Sequence, residues 1–371
     1  MKTITINPIL FAGLYSFIIS LLVIPIVIHW SKKRNLLDAP NHRASHSVPT
    51  PTLGGIGIFI ASFSAILIWS KAPLFSEITI FLGAILVFFV VGLRDDLTDL
   101  RASLKFFIQL FLSFLIAYSG IRIQSLHGLF GIYELHVVAQ YVLTTIVIAG
   151  VTNAINLLDG INGLAGGISF INLMVFAFLF FKYKNQVYVV AAISLAGGVL
   201  GFLRYNFNKA KIFMGDTGSL LLGFSLAVFG IKFLQIGADS SAQSLLIVVG
   251  LMTLPVFDTV RVFALRIVKG NSPFTADKTH VHHLLLKLGL SHMWSSIVLY
   301  LVNLILVGMA IMMDKVSLDL KLGLALMIVS AFCLGEIITI IKMNRAKNKY
   351  KNLKTVENEL VAKNALLKKY M

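Results

Sequence analysis

Two adjacent carboxylates, Asp95 and Asp96, stand at the end of a long apolar run, in the stretch Arg-Asp-Asp-Leu-Thr-Asp. Such a pair repels itself, and each carboxylate is costly to remove from water. A hard divalent cation relieves both problems, and oxygen ligands favour magnesium that also bridges to substrate phosphates. On a helix, Asp95 and Asp99 would share one face, with Asp96 about 100° away. The plainer interpretation is a solvated helix end.

A second polar stretch, residues 153–163, contains no Lys or Arg and is dense in Asn, Asp and Gly. Gly160 would allow close approach of a ligand to the backbone, and amides at the start of the next helix attract anions. Asp159 is therefore a second candidate metal ligand and catalytic group. Asn156 and Asn162 are candidate substrate contacts. A capped turn would give a similar composition.

A third stretch, residues 209–219, places Asp216 between glycines at the start of an apolar segment. Asp216 is the leading candidate for a metal ligand, although an acidic residue at this position also suits a helix N-cap. Phe213 is either a platform for a nucleotide base or an ordinary core residue. Asn206, at the end of the preceding apolar segment, is a further candidate substrate contact.

Three histidines within four residues, in the stretch His-Val-His-His, form the fourth group. They suggest zinc at first sight, but the single cysteine lies elsewhere in an apolar run, and nearby carboxylates suit magnesium better. Basic residues surround them, so binding of phosphate and handling of protons are favoured over zinc and over a structural role. The candidate residues are Arg266, His280, His282 and His283, with Lys269 and Lys278 beside them.

A fifth group, Arg43 and His46, precedes a Pro- and Gly-rich stretch that leads into an apolar segment. Together the five groups supply carboxylates, glycine-rich helix starts and a clamp of basic side chains. Phosphoryl transfer needs this equipment: neutralisation by a metal, positioning, and stabilisation of charge on phosphate oxygens. A Walker motif, a nucleophilic serine elbow and a kinase signature are all absent from the sequence.

The elements that position these groups are membrane helices. Of the 371 residues, 57% are apolar and 13% are charged, and the mean hydropathy is +0.88; a water-soluble fold cannot bury this much apolar surface. The sequence predicts an all-α polytopic protein with eleven spans, at residues 9–30, 53–70, 76–93, 104–120, 137–152, 163–181, 187–203, 217–235, 243–263, 293–313 and 321–341. The first is a retained helix rather than a signal peptide, because its basic residues follow the apolar run.

Most of the 32 Lys and Arg residues lie in the loops after odd-numbered spans and in the C-terminal tail. The positive-inside rule therefore predicts an external N-terminus and a cytoplasmic C-terminus in a plasma (inner) membrane. All five polar groups fall on this basic face, so they form one site. The net charge of +16 then indicates lipid phosphates and phosphorylated substrates as partners, not nucleic acid.

These motifs, in their order and on one face over residues 8–342, resemble the polyprenyl-phosphate N-acetylhexosamine-1-phosphate transferases (glycosyltransferase family 4). The residues that carry the resemblance are Asp95-Asp96, the stretch from Asn156 to Gly160, the stretch from Phe213 to Ser219, and His280 to His283. The stretch from Ser272 to His283 is similar to the WecA/TagO branch. The MraY branch, which makes a peptidoglycan precursor, usually has a plain run of histidines here.

The resemblance implies transfer of an N-acetylhexosamine-1-phosphate, most simply GlcNAc-1-phosphate, from a UDP-sugar to undecaprenyl phosphate, with release of UMP. It implies magnesium as cofactor, with manganese as a substitute, and a role at the start of cell-surface glycan synthesis such as O-antigen or teichoic acid. Its motif positions place Asp95 or Asp96 at the acceptor phosphate, Asp216 on magnesium, and Phe213 on uracil. Arg266 and the histidines would engage the pyrophosphate. Many relatives have aspartate where this chain has Asn162, which puts one uridine contact or acidic ligand in question.

Other functions remain open at this point. An MraY-like transferase of phospho-MurNAc-pentapeptide is the alternative within the family. A transporter of an anionic substrate would place its charges near the bilayer midplane and often show two related halves, whereas here the acidic groups gather at one surface. A lipid-binding scaffold would need little beyond the basic tail, residues 343–371, which we predict to form a short helix after the transferase domain, residues 1–342. Association into a homodimer is a further expectation.

Overall fold

The structure is a computed structural model that describes residues 5–38, 48–71, 73, 76–237, 242–273, 278–315, 319 and 321–330. Within these residues the chain is helical, and the one extended pairing is an isolated bridge between Asp38 and Thr50. The helices are α1 (Ile6–Lys33), α2 (Gly54–Trp69), α3 (Glu77–Thr98), α4 (Ala102–Tyr118), α5 (Val137–Leu158), α6 (Leu164–Lys182), α7 (Gln186–Asn206), α8 (Gly215–Ile236), α9 (Ala242–Val268), α10 (Val281–Lys287), α11 (His292–Lys315) and α12 (Lys321–Ser330). The predicted all-α class is confirmed.

Eight of the described helices are long and apolar enough to cross a membrane, and α2, α4 and α12 are shorter apolar helices. Each of the eleven predicted spans contains one of these helices, and α10 is an additional short helix after the histidines. Helices of this length and composition are the structure that a bilayer permits, because every backbone polar group is satisfied within the helix. The chain is therefore a multi-pass membrane protein. The predicted tail and Cys333 lie outside the described residues.

Three helices run at least five residues beyond their predicted ends, which corrects the placement of several site residues. Helix α3 continues to Thr98, α5 to Leu158 and α9 to Val268. As a result Asp95, Asp96, Asn156 and Arg266 lie in the last turns of helices rather than in loops. Hydropathy marks where a chain becomes polar, but a helix continues for as long as its backbone hydrogen bonds can form.

Helix α8 lies at the centre of the fold, where it packs against α2, α3, α5, α6 and α9. Close packing in lipid depends on small residues, because helices gain no hydrophobic advantage from association there. Gly92 of α3 is such a residue: a Cβ atom on it would lie 2.6 Å from Cα of Thr217. The end of α3 and the start of α8 are thereby brought into direct contact.

Helix α9 contains Pro255, which has no N–H to donate to the carbonyl of Leu251 one turn earlier. The side-chain amide of Asn172, from α6, donates to that carbonyl instead at 2.8 Å. The amide of Asn303, from α11, donates in turn to Oδ1 of Asn172 at 2.8 Å. Both asparagines are fully buried. Three helices are thus joined at the proline, about one turn before Asp258 of α9.

The opposite ends of the helices carry a separate charged pair. Lys232, which the sequence places inside an apolar span, forms an ion pair with Glu77 at the start of α3. The hydroxyl of Tyr188 lies 3.4 Å from Oε2 of the same glutamate, and the ammonium group lies 5.5 Å from the centre of the tyrosine ring. A charge pair that joins α3, α7 and α8 at this end stabilises the fold, because each charge has a partner.

Candidate active site

The first turn of α8 is capped from another helix. Oδ1 of Asp96 accepts a hydrogen bond from the amide of Asp216 at 2.8 Å, and Oδ2 accepts one from the amide of Thr217 at 3.0 Å. The hydroxyl of Thr217 also donates to Oδ2. A carboxylate at a helix N-terminus satisfies amides that have no partner within the helix and interacts favourably with the helix dipole.

The backbone at this point requires glycine. Gly215 has a φ of +71°, and a Cβ atom on it would lie 2.1 Å from the carbonyl oxygen of Thr52 and 2.4 Å from Oδ2 of Asp96. An L side chain would therefore be strained and would push Asp96 away. The glycine therefore allows two segments of the protein, the start of α8 and the end of α3, to approach each other closely.

Because Asp96 caps α8, the carboxylate of Asp216 does not have that task. It lies instead beside Asp95 and a lysine that binds both carboxylates. Nζ of Lys105, in the first turn of α4, lies 2.7 Å from Oδ2 of Asp95 and 2.9 Å from Oδ2 of Asp216. The other oxygen of Asp95 accepts from the amide of Leu100 at 2.6 Å. The ammonium group stabilises two carboxylates that would otherwise repel each other.

Asn156 completes the environment of Asp216. Its side-chain amide donates to Oδ1 of Asp216 at 2.9 Å and to the hydroxyl of Ser219 at 2.8 Å. One turn earlier, Asn153 donates to Oε1 of Gln109, on α4. Four helices therefore meet at Asp216: α3 and α4 through the lysine bridge, α5 through Asn156, and α8 itself.

Asp159 caps the C-terminal end of α5 and is partly buried near this group. Burial, together with the negative charges of Asp216 and Asp96, raises the pKa of Asp159 to about 7. Within the part of the chain that the structure describes, its carboxylate receives no hydrogen bond. A carboxylate placed beside two others, without a donor, is a favourable position for a cation.

The oxygen donors of these residues are of the type that magnesium prefers. The described residues contain no group of three or more His, Cys, Asp or Glu side chains arranged to enclose a metal. Magnesium does not require such an enclosure, because it commonly takes one or two carboxylates and completes its coordination with water and substrate phosphates. Asp159 and Asp216 are oxygen donors close enough for each to affect the other's charge. Asp96 has both oxygens already engaged by α8.

The histidine stretch is fixed by an aspartate that the sequence analysis missed. Nδ1 of His280 lies 2.9 Å from Oδ2 of Asp258, a buried carboxylate on α9. Asp258 also accepts from the amide of Val281 at 3.1 Å and from the guanidinium of Arg261 at 2.8 Å. The same guanidinium donates to the carbonyl of Thr279. This network sets the orientation of the imidazole of His280 and the start of α10.

His282 packs against the loop that carries Asp159. A Cβ atom on Gly160 would lie 2.3 Å from Nε2 of His282, so the imidazole covers this glycine. The rings of His280, His282 and His283 are adjacent, with centroids 5.7 Å and 4.3 Å apart. The structure therefore brings the loop of Asp159 and the histidine stretch together, as expected for one site.

The charge of the histidines differs from the expectation. Burial, with the charge of His283, lowers the pKa of His282 to about 3. Burial, with the charges of His280 and Lys278, lowers the pKa of His283 to about 4. Both imidazoles are therefore neutral at pH 7 in the free protein, and they are not a source of positive charge for a pyrophosphate. Both ring nitrogens of His282 lack a hydrogen-bond partner among the described residues.

Arg266 and Phe213 have contacts within the protein. The guanidinium of Arg266 is buried, donates to the carbonyl of Pro273, and lies 5.8 Å from the ring centre of Phe263. The backbone of Phe213 donates to the carbonyl of Pro51 at 2.7 Å and accepts from the amide of Gly54 at 2.9 Å. Phe213 thereby joins the start of α2 to the start of α8. Their roles toward pyrophosphate and uracil stay predictions.

Two further predicted substrate contacts hold loops together. Asn206 accepts from the amide of Gly163 at 2.6 Å and donates to the carbonyl of Ile212 at 2.8 Å. Asn162 donates to the carbonyl of Asn208 at 3.2 Å. These bonds join the loop that follows α5 to the loop that follows α7. Arg43 and His46 lie outside the described residues.

The sequence contained a signal for each residue that was missed. Lys105 stands at the start of an apolar span, and Asp258 and Arg261 stand three positions apart inside another. Ionisable residues within membrane spans usually have a function, since desolvation of an unpaired charge there is costly. Membrane position alone does not identify the partner, which only the folded helix arrangement supplies.

Comparisons with known proteins show the family of this chain. Residues 78–234, which run from α3 to α8, match the model of glycosyl transferase family 4. A probable undecaprenyl-phosphate N-acetylglucosaminyl 1-phosphate transferase of Bacillus subtilis is 36% identical over 316 residues, which cover 83% of this chain and 86% of the relative. A decaprenyl-phosphate N-acetylglucosaminephosphotransferase of Mycolicibacterium smegmatis is 34% identical over 319 residues, which cover 78% of this chain and 79% of the relative.

The chain belongs to glycosyl transferase family 4, as the resemblance of its motifs implied. A phospho-N-acetylmuramoyl-pentapeptide-transferase of Clostridium beijerinckii is also similar, at 36% identity over a shorter stretch of 229 residues, which cover 58% of this chain and 70% of that relative. The similarity to the two N-acetylglucosamine phosphate transferases covers more of this chain than the similarity to the Clostridium enzyme.

Proposed function

We propose that this protein transfers GlcNAc-1-phosphate from UDP-GlcNAc to undecaprenyl phosphate and releases UMP. The observation that carries the proposal is the environment of Asp216, which lies at the start of α8 with Lys105, Asp95 and Asn156 around it. A charged cluster of this kind suits two phosphorylated substrates that meet at the membrane surface. The names of the relatives that align over most of this chain support the same reaction.

In the proposed reaction, an oxygen of the lipid phosphate attacks the β-phosphorus of the UDP-sugar. A new phosphorus–oxygen bond forms to the lipid, the bond to the bridging oxygen of UMP breaks, and the bond between the sugar C1 and its oxygen stays intact. The acceptor phosphate is already largely ionised near pH 7, so Asp95 is needed to orient the acceptor through Lys105 more than to remove a proton.

Lys105 has a defined task in this scheme. Its ammonium group balances Asp95 and Asp216 in the free protein, so an arriving phosphate meets a lysine rather than two bare carboxylates. Charge that develops on phosphate oxygens is stabilised best by groups that are already in position. Asp258 fixes Nδ1 of His280 as the protonated nitrogen, which leaves Nε2 of the neutral imidazole as a hydrogen-bond acceptor toward the substrates.

Magnesium completes the proposal, with manganese as a substitute. Asp159 and Asp216 would hold the ion, which would neutralise the pyrophosphate of the donor. The support for this assignment is the raised pKa of Asp159 beside two other carboxylates and the oxygen-only set of donors. Asp96 supports the ion indirectly, because it fixes the backbone of Asp216.

We further propose that the protein lies in the plasma membrane with this site facing the cytoplasm, as the distribution of basic residues predicts. Cysteine labelling tests the orientation in a Cys333→Ala background. Ser272→Cys, beside the histidine stretch, should react only from the cytoplasmic side, and Tyr133→Cys, in an exposed loop between α4 and α5, only from outside. Reaction of both from one side would contradict the orientation.

The donor sugar is tested with purified protein, undecaprenyl phosphate and a panel of UDP-sugars, followed by mass analysis of the lipid. The proposal expects a product heavier by one N-acetylhexosamine phosphate with UDP-GlcNAc. A product formed only with UDP-MurNAc-pentapeptide would instead favour the peptidoglycan reaction named for the Clostridium relative. No lipid product with any UDP-sugar would contradict the proposed class of reaction.

A further inference from the structure

An apolar groove lies between α1, α6, α7 and α11, away from the carboxylates. Its volume is about 600 Å³, within the range of ligand pockets. Among the described residues that line it, Arg204 carries the one charge, and the rest are apolar or aromatic residues and a glycine. The lining residues used below are Phe17, Leu21, Leu200, Arg204, Phe207 and Tyr300.

The groove opens toward lipid at the same membrane face as the active site. Leu200 is 41% exposed, and Arg204 lies one helical turn further toward the end of α7, where it is also exposed. The hydroxyl of Tyr205 donates to the carbonyl of Leu21, which fixes α1 against α7 at this depth. A ligand that fills the groove therefore has an apolar chain beside Leu200 and a polar group beside Arg204.

The charge of Arg204 indicates the polar group. Within the described residues, its guanidinium has no hydrogen bond and no carboxylate partner. A guanidinium can hold a phosphate through two parallel hydrogen bonds, and basic pockets between membrane helices bind anionic headgroups. A zwitterionic headgroup also contains an ammonium group, and the residues that line the groove include no carboxylate to receive it.

The groove is closed toward the active site, which separates its occupant from the reacting acceptor. The rings of Phe207 and Tyr300 are stacked, with centroids 6.1 Å apart. Tyr300 donates to the carbonyl of Gly163, and a Cβ atom on Gly163 would lie 2.6 Å from the ring of Phe207. These rings therefore lie between the groove and the loop of Asp159.

We propose that this groove binds one anionic phospholipid from the leaflet at the active-site face. An acyl chain occupies the space beside Phe17 and Leu200, and the phosphate binds Arg204. The lipid is a resident ligand of the fold and takes no part in the transfer reaction. This site is independent of which sugar the enzyme uses.

Native mass spectrometry of purified protein tests the site, with equal amounts of phosphatidylglycerol and phosphatidylcholine added. Wild type should retain one phosphatidylglycerol in preference to phosphatidylcholine. Arg204→Gln should bind phosphatidylglycerol about tenfold more weakly, which corresponds to about 1.4 kcal/mol. This variant should therefore no longer prefer phosphatidylglycerol to phosphatidylcholine. Arg34→Gln is the matched control, since this exposed arginine follows α1 about 20 Å beyond Leu21, and its lipid binding should match wild type.

Leu200→Trp fills the groove and should reduce retention of both lipids while the melting temperature stays unchanged. Three outcomes would overturn the proposal. Equal losses in Arg204→Gln and Arg34→Gln would indicate general surface attraction. Displacement of phosphatidylglycerol by an equal amount of undecaprenyl phosphate would assign the groove to the acceptor. A dimer in wild type that Leu200→Trp converts to a monomer would assign it to a second copy of the chain.

Discussion

The carboxylate of Asp96 accepts a hydrogen bond from the amide of Thr217, 3.0 Å away, although 121 positions separate the two residues. Each of the two adjacent aspartates on α3 therefore meets α8 in a different way. Asp96 binds the backbone at the start of α8, and Asp95 reaches Asp216 through Lys105. Asp95 and Asp96 are adjacent on α3, so the position of this helix sets both the cap of α8 and the charged cluster around Lys105.

Asp96→Ala removes the cap and leaves two amides at the start of α8 without their acceptor. We expect a loss of about 1–3 kcal/mol of stability, the cost of a buried donor without a partner, with loss of activity because Asp216 moves. Asp96→Asn keeps one acceptor oxygen, so it should retain more stability and more activity than Asp96→Ala. The measurements are thermal unfolding in detergent and the initial rate of transfer.

The control for this prediction is Asp99→Asn, at the exposed end of α3, which should match wild type in both measurements. Should Asp96→Asn unfold like wild type and yet lose all activity, Asp96 would have a direct role in the reaction, as the sequence motif suggested.

Lys105→Met removes the cation that Asp95 and Asp216 share. We expect kcat to fall by about two to three orders of magnitude, since a positioned charge at a reacting phosphate has an effect of this size. Stability should also fall, because two close carboxylates lose their partner. Adding Asp95→Asn to Lys105→Met should restore part of the stability but not the activity, a coupling that a double-mutant cycle measures.

Lys182→Met, at the exposed far end of α6, is the matched control and should change neither quantity. A Lys105→Met protein with wild-type kcat would contradict a role of Lys105 in the transfer reaction.

The raised pKa of Asp159, about 7, predicts how pH affects stability in EDTA. Between about pH 4 and pH 7 the folded protein holds a proton that the unfolded chain has released, so stability falls as pH rises through this range. Asp159→Asn lacks this penalty and should melt at a higher temperature than wild type at pH 8, and the difference should shrink as the pH falls toward 4.

Magnesium should reverse this difference at pH 8, because a bound ion stabilises the ionised carboxylate and the folded state. We expect magnesium to raise the melting temperature of wild type but not of Asp159→Asn. An equal effect of magnesium on both proteins would remove Asp159 from the proposed metal site.

Asp258→Asn tests whether the buried aspartate positions His280. An asparagine keeps the shape, but it no longer fixes Nδ1 of the imidazole as the protonated nitrogen. We expect kcat to fall by about one to two orders of magnitude, with little change in the affinity for either substrate. NMR of labelled histidine should also show that the proton of the neutral His280 ring is no longer confined to Nδ1.

A purely structural role of Asp258 predicts a different result: a lower melting temperature with the His280 proton still on Nδ1. The control is Thr259→Val, on the same turn, because the hydroxyl of Thr259 donates to the carbonyl of Pro255 in its own helix. This variant should leave the His280 proton on Nδ1.

Much of the fold could be predicted from the sequence, because apolar length alone marks membrane helices. Each predicted span contains a helix, and the loop of Asp159 does meet the histidine stretch at Gly160 and His282. The ends of helices were less predictable. Asp96 and Asn156 are polar enough to suggest loops, yet their backbones continue the helix and their side chains bind across to α8.

The partners within the site could not be predicted from the sequence. Asp216 is a residue type that often caps helices, but the cap of α8 comes from Asp96 on another helix. This contact forms because Gly92 allows α3 to approach α8 closely. Neutral histidines were also unexpected, since burial in the folded chain sets the pKa of His282. Pairing and burial are properties of the helix arrangement, which no local pattern specifies.

The central claim is that a sugar phosphate, and not a sugar alone, moves to the lipid at Asp216. Purified protein with UDP-GlcNAc labelled at the β-phosphorus distinguishes the two, since the label moves to the lipid only if the phosphate is transferred. We predict one UMP released for each labelled lipid formed, with a loss of about two to three orders of magnitude in Asp216→Asn. Release of UDP with no label in the lipid, or a fully active Asp216→Asn protein, would contradict the account.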